Sequence, residues 1–174
     1  MGPVAPWVVW LIGPSGAGKT TVAEEFARYG FFHLESCDVR GAWGDNDFTR
    51  AGVCRQTHRL AHMVRAASRN HPHVVVASVA PHYEDGRRVV TERILHEGPR
   101  LRWVELVTPV DVCRVRRPRL WAMQAEGAVA HVAGVDVPFE SLHPGEGLRI
   151  ETVGQSPSQI ARAIFSWCRG EGSV

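Results

Sequence analysis

Trp7-Val8-Val9-Trp10-Leu11-Ile12-Gly13-Pro14-Ser15-Gly16-Ala17-Gly18-Lys19-Thr20 runs from six apolar residues straight into a glycine-rich octapeptide. The octapeptide Gly13 to Thr20 fits the phosphate-loop pattern G-x-x-x-x-G-K-[ST] without a mismatch. A polyphosphate is held best by several backbone N–H groups at once, and glycines let the chain turn closely around it. The spacing predicts a helix opening at the loop, its positive end toward the same anion. Gly13, Ser15, Gly16, Ala17, Gly18, Lys19, Thr20 and Thr21 are the expected ATP-binding residues. Lys19 would reach the β- and γ-phosphates, and the Thr20 hydroxyl would hold Mg²⁺. Among the 20 lysines and arginines of the chain, Lys19 is the only lysine. A compact ammonium stands here, where a point charge suits phosphate better than a planar fork. A plain glycine-rich turn is the competing reading, but the motif's context of a strand before and a helix after is itself readable.

Working outward, Trp7–Ile12 has the continuous apolar character of a strand buried on both faces of a parallel sheet. A helix is expected from about Gly18 to Tyr29, stopped by Gly30, and a short strand over Phe31–Leu34. That strand would deliver Glu35-Ser36-Cys37-Asp38-Val39-Arg40, read as loop, to the sheet's carboxyl end, where open α/β sheets bind ligands. Gly41–Asp47 reads as further loop, and Phe48-Thr49 opens a long helix carrying Val53, Thr57, Leu60, Ala61 and Val64 at helical spacing. His73–Val79 is the third strand. A helix follows from Glu84 or Asp85 through Val90, Ile94 and Leu95 to Gly98-Pro99, then a strand over Leu101–Val107. Pro109 begins a short helix, and Leu148–Thr152 is the last strand. Ser156-Pro157 caps the final helix. Strands alternating with helices behind a phosphate loop predict a three-layer α/β P-loop NTPase fold, with a mainly parallel five-stranded sheet. The whole chain, 1–174, reads as one domain. The small-residue stretch at about 116–147 reads as a mobile lid instead of core.

Composition is that of an ordinary globular protein, with 44% hydrophobic and 22% charged residues and a net charge of +2. No apolar run approaches a membrane span and no signal-peptide pattern opens the chain, so the cytoplasm is expected and membrane partners are not. Cys37, Cys54, Cys113 and Cys168 lie far apart with no C-x-x-C pair, which suggests reduced thiols. His58 and His62 have metal-ligand spacing, but no adjacent Glu or third ligand accompanies them. Arg114, Arg116, Arg117 and Arg119 form the densest basic run. Arginines entering from a mobile segment stabilise a transferring phosphoryl group, although such runs are more often a solvated face. Nucleic-acid binding would rest on this run alone and is not expected. Asp38 stands where an acid accepts a hydroxyl proton or orients Mg²⁺, with Glu35 a competitor for that work.

Six stretches in order carry a resemblance: Gly13–Thr21, Asp38-Val39-Arg40, Phe48-Thr49-Arg50, Ala80-Pro81-His82-Tyr83-Glu84-Asp85, Thr108–Cys113 and Gly134–Glu140. On these the chain resembles the adenylylsulfate (APS) kinases, which phosphorylate the ribose 3′-hydroxyl of adenylyl sulfate with ATP, over Trp10 to about Arg169. The resemblance implies ATP and Mg²⁺ as cofactors, Arg116 on the donor adenine, a small-molecule acceptor, and pairing as a homodimer. Asp38 is expected to be catalytic beside Lys19, taking the family's acidic position only by a one-residue shift of its loop, and Arg40, Phe48, Arg59 and Pro81 are expected to bind the acceptor. Departures cluster on the acceptor side. The family's Asp-Gly-Asp-Asn-Val-Arg is here Glu35-Ser36-Cys37-Asp38-Val39-Arg40, with Cys37 in the place of the second Asp. Gly52-Val53, Gln56 and His58-Arg59 stand where the family has Asp-Arg, Asn and paired arginines. The lid lysines are missing, with Leu120-Trp121-Ala122-Met123, Ala130 and Val132 in their places. Each lost charge-assisted hydrogen bond removes about 1.5–3 kcal/mol. The expectation is a kinase with the ATP half kept and an acceptor that is less anionic than APS or has its charge met by Arg40, Arg50 and Arg59. A genuine APS kinase and a nucleotide-binding module without turnover are the alternatives.

Overall fold

The computed structural model describes residues 6–94, 96 and 100–170. Five strands form one sheet in the order β2-β3-β1-β4-β5: β1 Trp7–Ile12, β2 Phe32–Glu35, β3 His73–Ala77, β4 Arg100–Val107 and β5 Gly147–Glu151. Every pairing is parallel, with Trp7 opposite both His73 and Arg100. All five carboxyl ends therefore open on one edge of the sheet.

The central strand β1 is buried along its whole length, and its alternation splits the core in two. Trp7, Val9 and Leu11 face α1 (Lys19–Glu25) and α7 (Pro157–Arg169), packing with Val22, Ala23, Phe26, Ile160, Ala161 and Ile164. Val8, Trp10 and Ile12 face the other layer, with Val39, Leu60, Ala61, Val64, Trp103 and Leu142. Burying each such side chain contributes about 1.5–3 kcal/mol. The long helix α3 (Arg50–Ala67) is set by this layer: Val53, Gln56, Thr57, Leu60, Ala61 and Val64 are its buried positions. Thr49 caps it by accepting from Gly52 N. At α7, Ser156 and Gln159 form a capping box and Gly170 closes the helix in the left-handed region.

The first helix tightens into a 3₁₀ turn over Phe26–Tyr29 before Gly30 at φ 77°. A correction concerns Glu35–Arg40. The stretch is not loop but a helix, α2 (Ser36–Ala42), which buries only Val39. One apolar position in a polar heptapeptide leaves no periodicity to read. Beyond β3, α4 (Glu84–Val89) runs into a π-turn over Val90–Ile94. Leu95 and Gly98-Pro99, expected at that helix's end, lie outside the described residues. The stretch expected as lid, about 116–147, begins at the last residue of α5 (Val110–Arg116), and α6 (Pro118–Ala125) follows. From there the chain is irregular as far as β5, apart from a bridge between Ala133 and Val137. Leu142 in that stretch belongs to the core.

Two buried ions fasten the return of this cover. Arg87 donates to both carboxylate oxygens of Glu146, at 2.5 and 3.2 Å, and to the carbonyls of Glu140 and Ser141. Glu105 accepts from Ser141 Oγ, Leu142 N and Arg149 Nε. Among the described residues no helix is long and apolar enough to cross a membrane.

Candidate active site

The loop between β1 and α1 is shaped by contacts that only glycine permits. Gly16 and Gly18 both have φ 97°. A Cβ on Gly16 would come within 2.8 Å of Cys113 O, and one on Gly13 within 2.9 Å of Leu106 O. Lys19 is buried and folds back along the loop, donating to Gly13 O at 2.9 Å and Pro14 O at 2.8 Å. Burial pushes its ammonium down to about 8, against the opposing pull of Glu35. A cation held this way is stabilised by an arriving anion, and its three donors can leave the two carbonyls for phosphate oxygens. Ser15 is half-buried on the loop, while Thr20 and Thr21 stand exposed at its mouth.

Thr20 Oγ1 donates to Glu35 Oε2 at 2.9 Å, joining the end of the loop to the end of β2. Burial raises the Glu35 carboxyl, but the His33 imidazole 3.5 Å away and the hydrogen bond from Thr20 outweigh it and hold the group below its usual range. Glu35 is thus a carboxylate with a hydroxyl beside it, two oxygen donors of the kind Mg²⁺ prefers. Among the described residues no cluster of three or more His, Cys, Asp or Glu could hold a metal by itself. That suits an ion held chiefly by phosphate and water.

Asp38 lies exposed in the first turn of α2, with no hydrogen bond or ion pair among the described residues. Its neighbour Cys37 is exposed too, and desolvation with the Glu35 charge pushes that thiol up. Lys19 feels Glu35, Cys113, Cys37 and Arg117. Cys37 and Asp38 are thus successive exposed residues in the first turn of α2.

On the nucleotide side Arg116 Nη1 donates to Gly16 O at 3.2 Å and Ala17 O at 3.4 Å, which lays the α5 terminus over the loop. Arg40 and Arg59, expected to bind the acceptor, converge on carboxylates of the chain itself. Arg59 Nη1 donates to Asp45 Oδ2 at 2.5 Å, and Arg40 Nη1 donates to Asp47 O at 2.8 Å and lies 3.8 Å from Asp45 Oδ1. Arg55 pairs with Asp47 at 2.6 Å. The Thr49 hydroxyl and the Arg55 guanidinium hold the Asp47 carboxyl well below the usual range. Phe48 lies under the Arg40 guanidinium at 4.5 Å and Trp43 under Arg59 at 4.8 Å. Phe48 also lines a cavity of about 320 Å³ with Asn46, Thr49, Ala128, Ala130 and His131 from the cover. Pro81 is buried beneath α4, where Gly86 would bring a Cβ within 3.0 Å of its ring.

Sequence reasoning expected Arg40 and Arg59 to be available to a ligand, but it missed that Asp45 and Asp47 pair with Arg40, Arg55 and Arg59. The available signal was the acidic Asp45-Asn46-Asp47 directly before a helix, α3, that carries four arginines and no carboxylate. His58 and His62 are exposed on that helix.

The sequence signature of adenylylsulphate kinase matches residues 5–146 of this chain. The chain belongs to the adenylylsulphate kinase family. Members of this family are ATP-dependent phosphotransferases. The bifunctional enzyme NodQ of Rhizobium sp. is 30% identical over 172 residues, covering 93% of this chain and 26% of NodQ. The chain thus spans about a quarter of the length of that relative. The adenylyl-sulfate kinase of Pseudomonas aeruginosa is 27% identical over 177 residues, covering 93% of this chain and 85% of that protein. Among solved structures, Mycobacterium tuberculosis APS kinase CysC in complex with AMPPNP and APS matches with a TM-score of 0.83 and 25% identity. That match covers 96% of this chain and 99% of the mycobacterial one. The five-stranded all-parallel sheet agrees with the fold of that solved APS kinase.

Proposed function

We propose that this chain is an ATP- and Mg²⁺-dependent kinase that transfers the γ-phosphoryl group to a hydroxyl of a small molecule, a nucleoside or nucleotide less anionic than adenylyl sulfate. The contrast between the two halves of the site carries the reading. On the donor side Lys19 is held only by backbone carbonyls, which a polyphosphate can displace. On the acceptor side Arg40, Arg55 and Arg59 are already met by Asp45 and Asp47. Three guanidiniums against two carboxylates leave one net positive charge for an acceptor, whereas the phosphosulfate of APS carries two negative ones.

Thr20 and Glu35 would hold Mg²⁺, which supplies neutralisation of charge on the β- and γ-phosphates. The loop's backbone N–H groups and Lys19 bind and orient the triphosphate. Arg116 covers the donor from α5. The acceptor rests against Phe48, with its hydroxyl toward Asp38, while Pro81, expected to bind it, is buried beneath α4. The acceptor oxygen forms a bond to the γ-phosphorus as the bridging P–O bond breaks toward ADP, and Asp38 takes the hydroxyl proton.

Genuine APS kinase activity is the second reading, supported by the match over 96% of the chain to a protein described with both AMPPNP and APS. Both readings are tested by incubating the chain with ATP, Mg²⁺ and, separately, APS, AMP, adenosine and sugar alcohols, and reading the mass gain of one phosphoryl group. Product with a weakly charged acceptor, lost in Lys19→Ala, supports the first reading. Nucleotide binding without product from any acceptor would mark a module without turnover and overturn both.

A further inference from the structure

The cover between α6 and β5 holds a carboxylate with no part in the chemistry assigned so far. Asp136 Oδ2 accepts from His131 N at 2.9 Å, and its Oδ1 accepts from Val132 N. Among the described residues His131 is the one non-glycine in the left-handed region, with φ 61°. A side chain is disfavoured there, so the conformation persists only where neighbouring groups hold it. The two N–H groups that Asp136 binds bracket the His131 backbone, and bonds to a carboxylate are the strong kind.

The rest of the turn closes without that carboxylate. Val132 O accepts from Val135 N and Asp136 N at 3.0 and 3.2 Å, and Val137 O accepts from Gly134 N at 2.8 Å. Gly134, at φ 83°, lies against the phosphate loop: a Cβ there would stand 3.6 Å from Pro14 Cβ. Upstream, Ala128 N and Val129 N donate to Met123 O, which ties that segment to α6. Asp136 therefore joins two separately anchored pieces of the cover, and the joint falls at His131. A wall of the acceptor cavity hangs on this joint. Ala128, Ala130 and His131 line the space of about 320 Å³ together with Asn46 and Phe48.

We propose that Asp136 is a positioning residue of the acceptor cavity, which holds His131 left-handed and thereby sets residues 128–131 as the wall an acceptor meets. This rests on the kinase reading above and deepens it. Without the carboxylate, residue 131 relaxes to ordinary backbone geometry and the wall is in place only part of the time. Apparent acceptor affinity falls by that fraction, while the turn at Gly134 stays closed by main-chain bonds and nucleotide binding is spared.

The test titrates the chain, saturated with AMPPNP and Mg²⁺, with adenosine and with APS by calorimetry. It compares the unaltered chain with Asp136→Ala, Asp136→Asn, His131→Gly and the variant combining Asp136→Ala with His131→Gly. Asp136→Ala should bind the acceptor about tenfold more weakly, as for a wall set about a tenth of the time, with AMPPNP affinity changed by less than about threefold. Asp136→Asn keeps an accepting oxygen and should recover part of the loss. Glycine enters the left-handed region without strain, so in the His131→Gly background removing Asp136 should cost less than about threefold. Amide exchange, read by NMR without ligand, should quicken about tenfold at His131 and Val132 in Asp136→Ala and stay unchanged at Gly134. Equal weakening of AMPPNP and acceptor would show that Asp136 merely holds the cover together. A full tenfold cost in the glycine background would show that it acts other than through His131, and unchanged acceptor affinity or unchanged exchange would remove it from the cavity wall; each of these overturns the proposal. An unaltered chain that binds AMPPNP but neither acceptor overturns the kinase reading instead, and the exchange rates then still decide whether Asp136 holds His131.

Discussion

Glu35 and Asp38 are close in sequence and have opposite surroundings. Glu35 is engaged by Thr20 and His33, while Asp38 has no partner among the described residues. A carboxylate that accepts a proton in the transition state contributes about 10²–10⁴ in rate, whereas one that orients a metal acts through nucleotide binding. Asp38→Asn should therefore lower single-turnover transfer by about 10²-fold or more with AMPPNP affinity unchanged. Glu35→Gln should weaken Mg²⁺-dependent AMPPNP binding. The reverse pattern would exchange the two roles. The loop residues Gly13 to Thr20 were legible because the motif is local, each member lying within one turn of the next. The Thr20–Glu35 contact was not, because β3 lies between β1 and β2 and the meeting depends on sheet order. The competing registers of Cys37 and Asp38 turn on a helix that a single buried Val39 leaves unreadable.

At the scale of elements, Arg40 of α2 and Arg59 of α3 show how residues read as free cations can have their charge already met. Arg40 and Arg59 do lie together, but the turn Asp45–Asp47 folds back onto them, and the fold-back of a short polar turn leaves no periodicity. Asp45→Asn removes the carboxylate facing Arg59 and Arg40. Affinity for APS, measured with AMPPNP present, should rise about tenfold, as one charge-assisted contact becomes available. Unchanged affinity would mean that Arg59 does not face the acceptor. The final helix was legible from Ser156-Pro157, and its capping box gives an independent check of the fold. Ser156→Ala should cost about 1 kcal/mol and lower Tm by about 2–4 °C, with nucleotide affinity unaffected.

For the molecule as a whole, alternating strands and helices disclosed the five-stranded parallel architecture, because apolar strand runs and helical spacing are each local signals. What fastens the cover to that architecture was hidden, since Arg87 and Glu146 meet across 59 positions. Arg87→Ala strands Glu146 and two carbonyls, and thermal or denaturant unfolding should show a loss of about 3 kcal/mol. His82 is buried beside that anchor, with neither ring nitrogen paired. Burial holds it down to about 4, Glu140 pulling it up and Arg50 and Arg87 pushing it down. Between the usual 6.5 and about 4 the unfolded chain binds a proton that the folded chain refuses. Stability should accordingly fall as pH drops through that window, and His82→Phe should flatten this part of the profile in urea unfolding. An unchanged profile would place the acid sensitivity elsewhere.

The central claim is that the donor half of the site is that of the family while the acceptor half has shed charge. Calorimetric binding of APS and of adenosine to the chain saturated with AMPPNP and Mg²⁺ tests it most directly. The account predicts that APS binds no more than about tenfold more tightly than adenosine, because one net positive charge remains to meet its phosphosulfate. An advantage for APS of about a thousandfold or more would contradict it, showing that Arg40 and Arg59 leave Asp45 and Asp47 to grip a doubly anionic ligand.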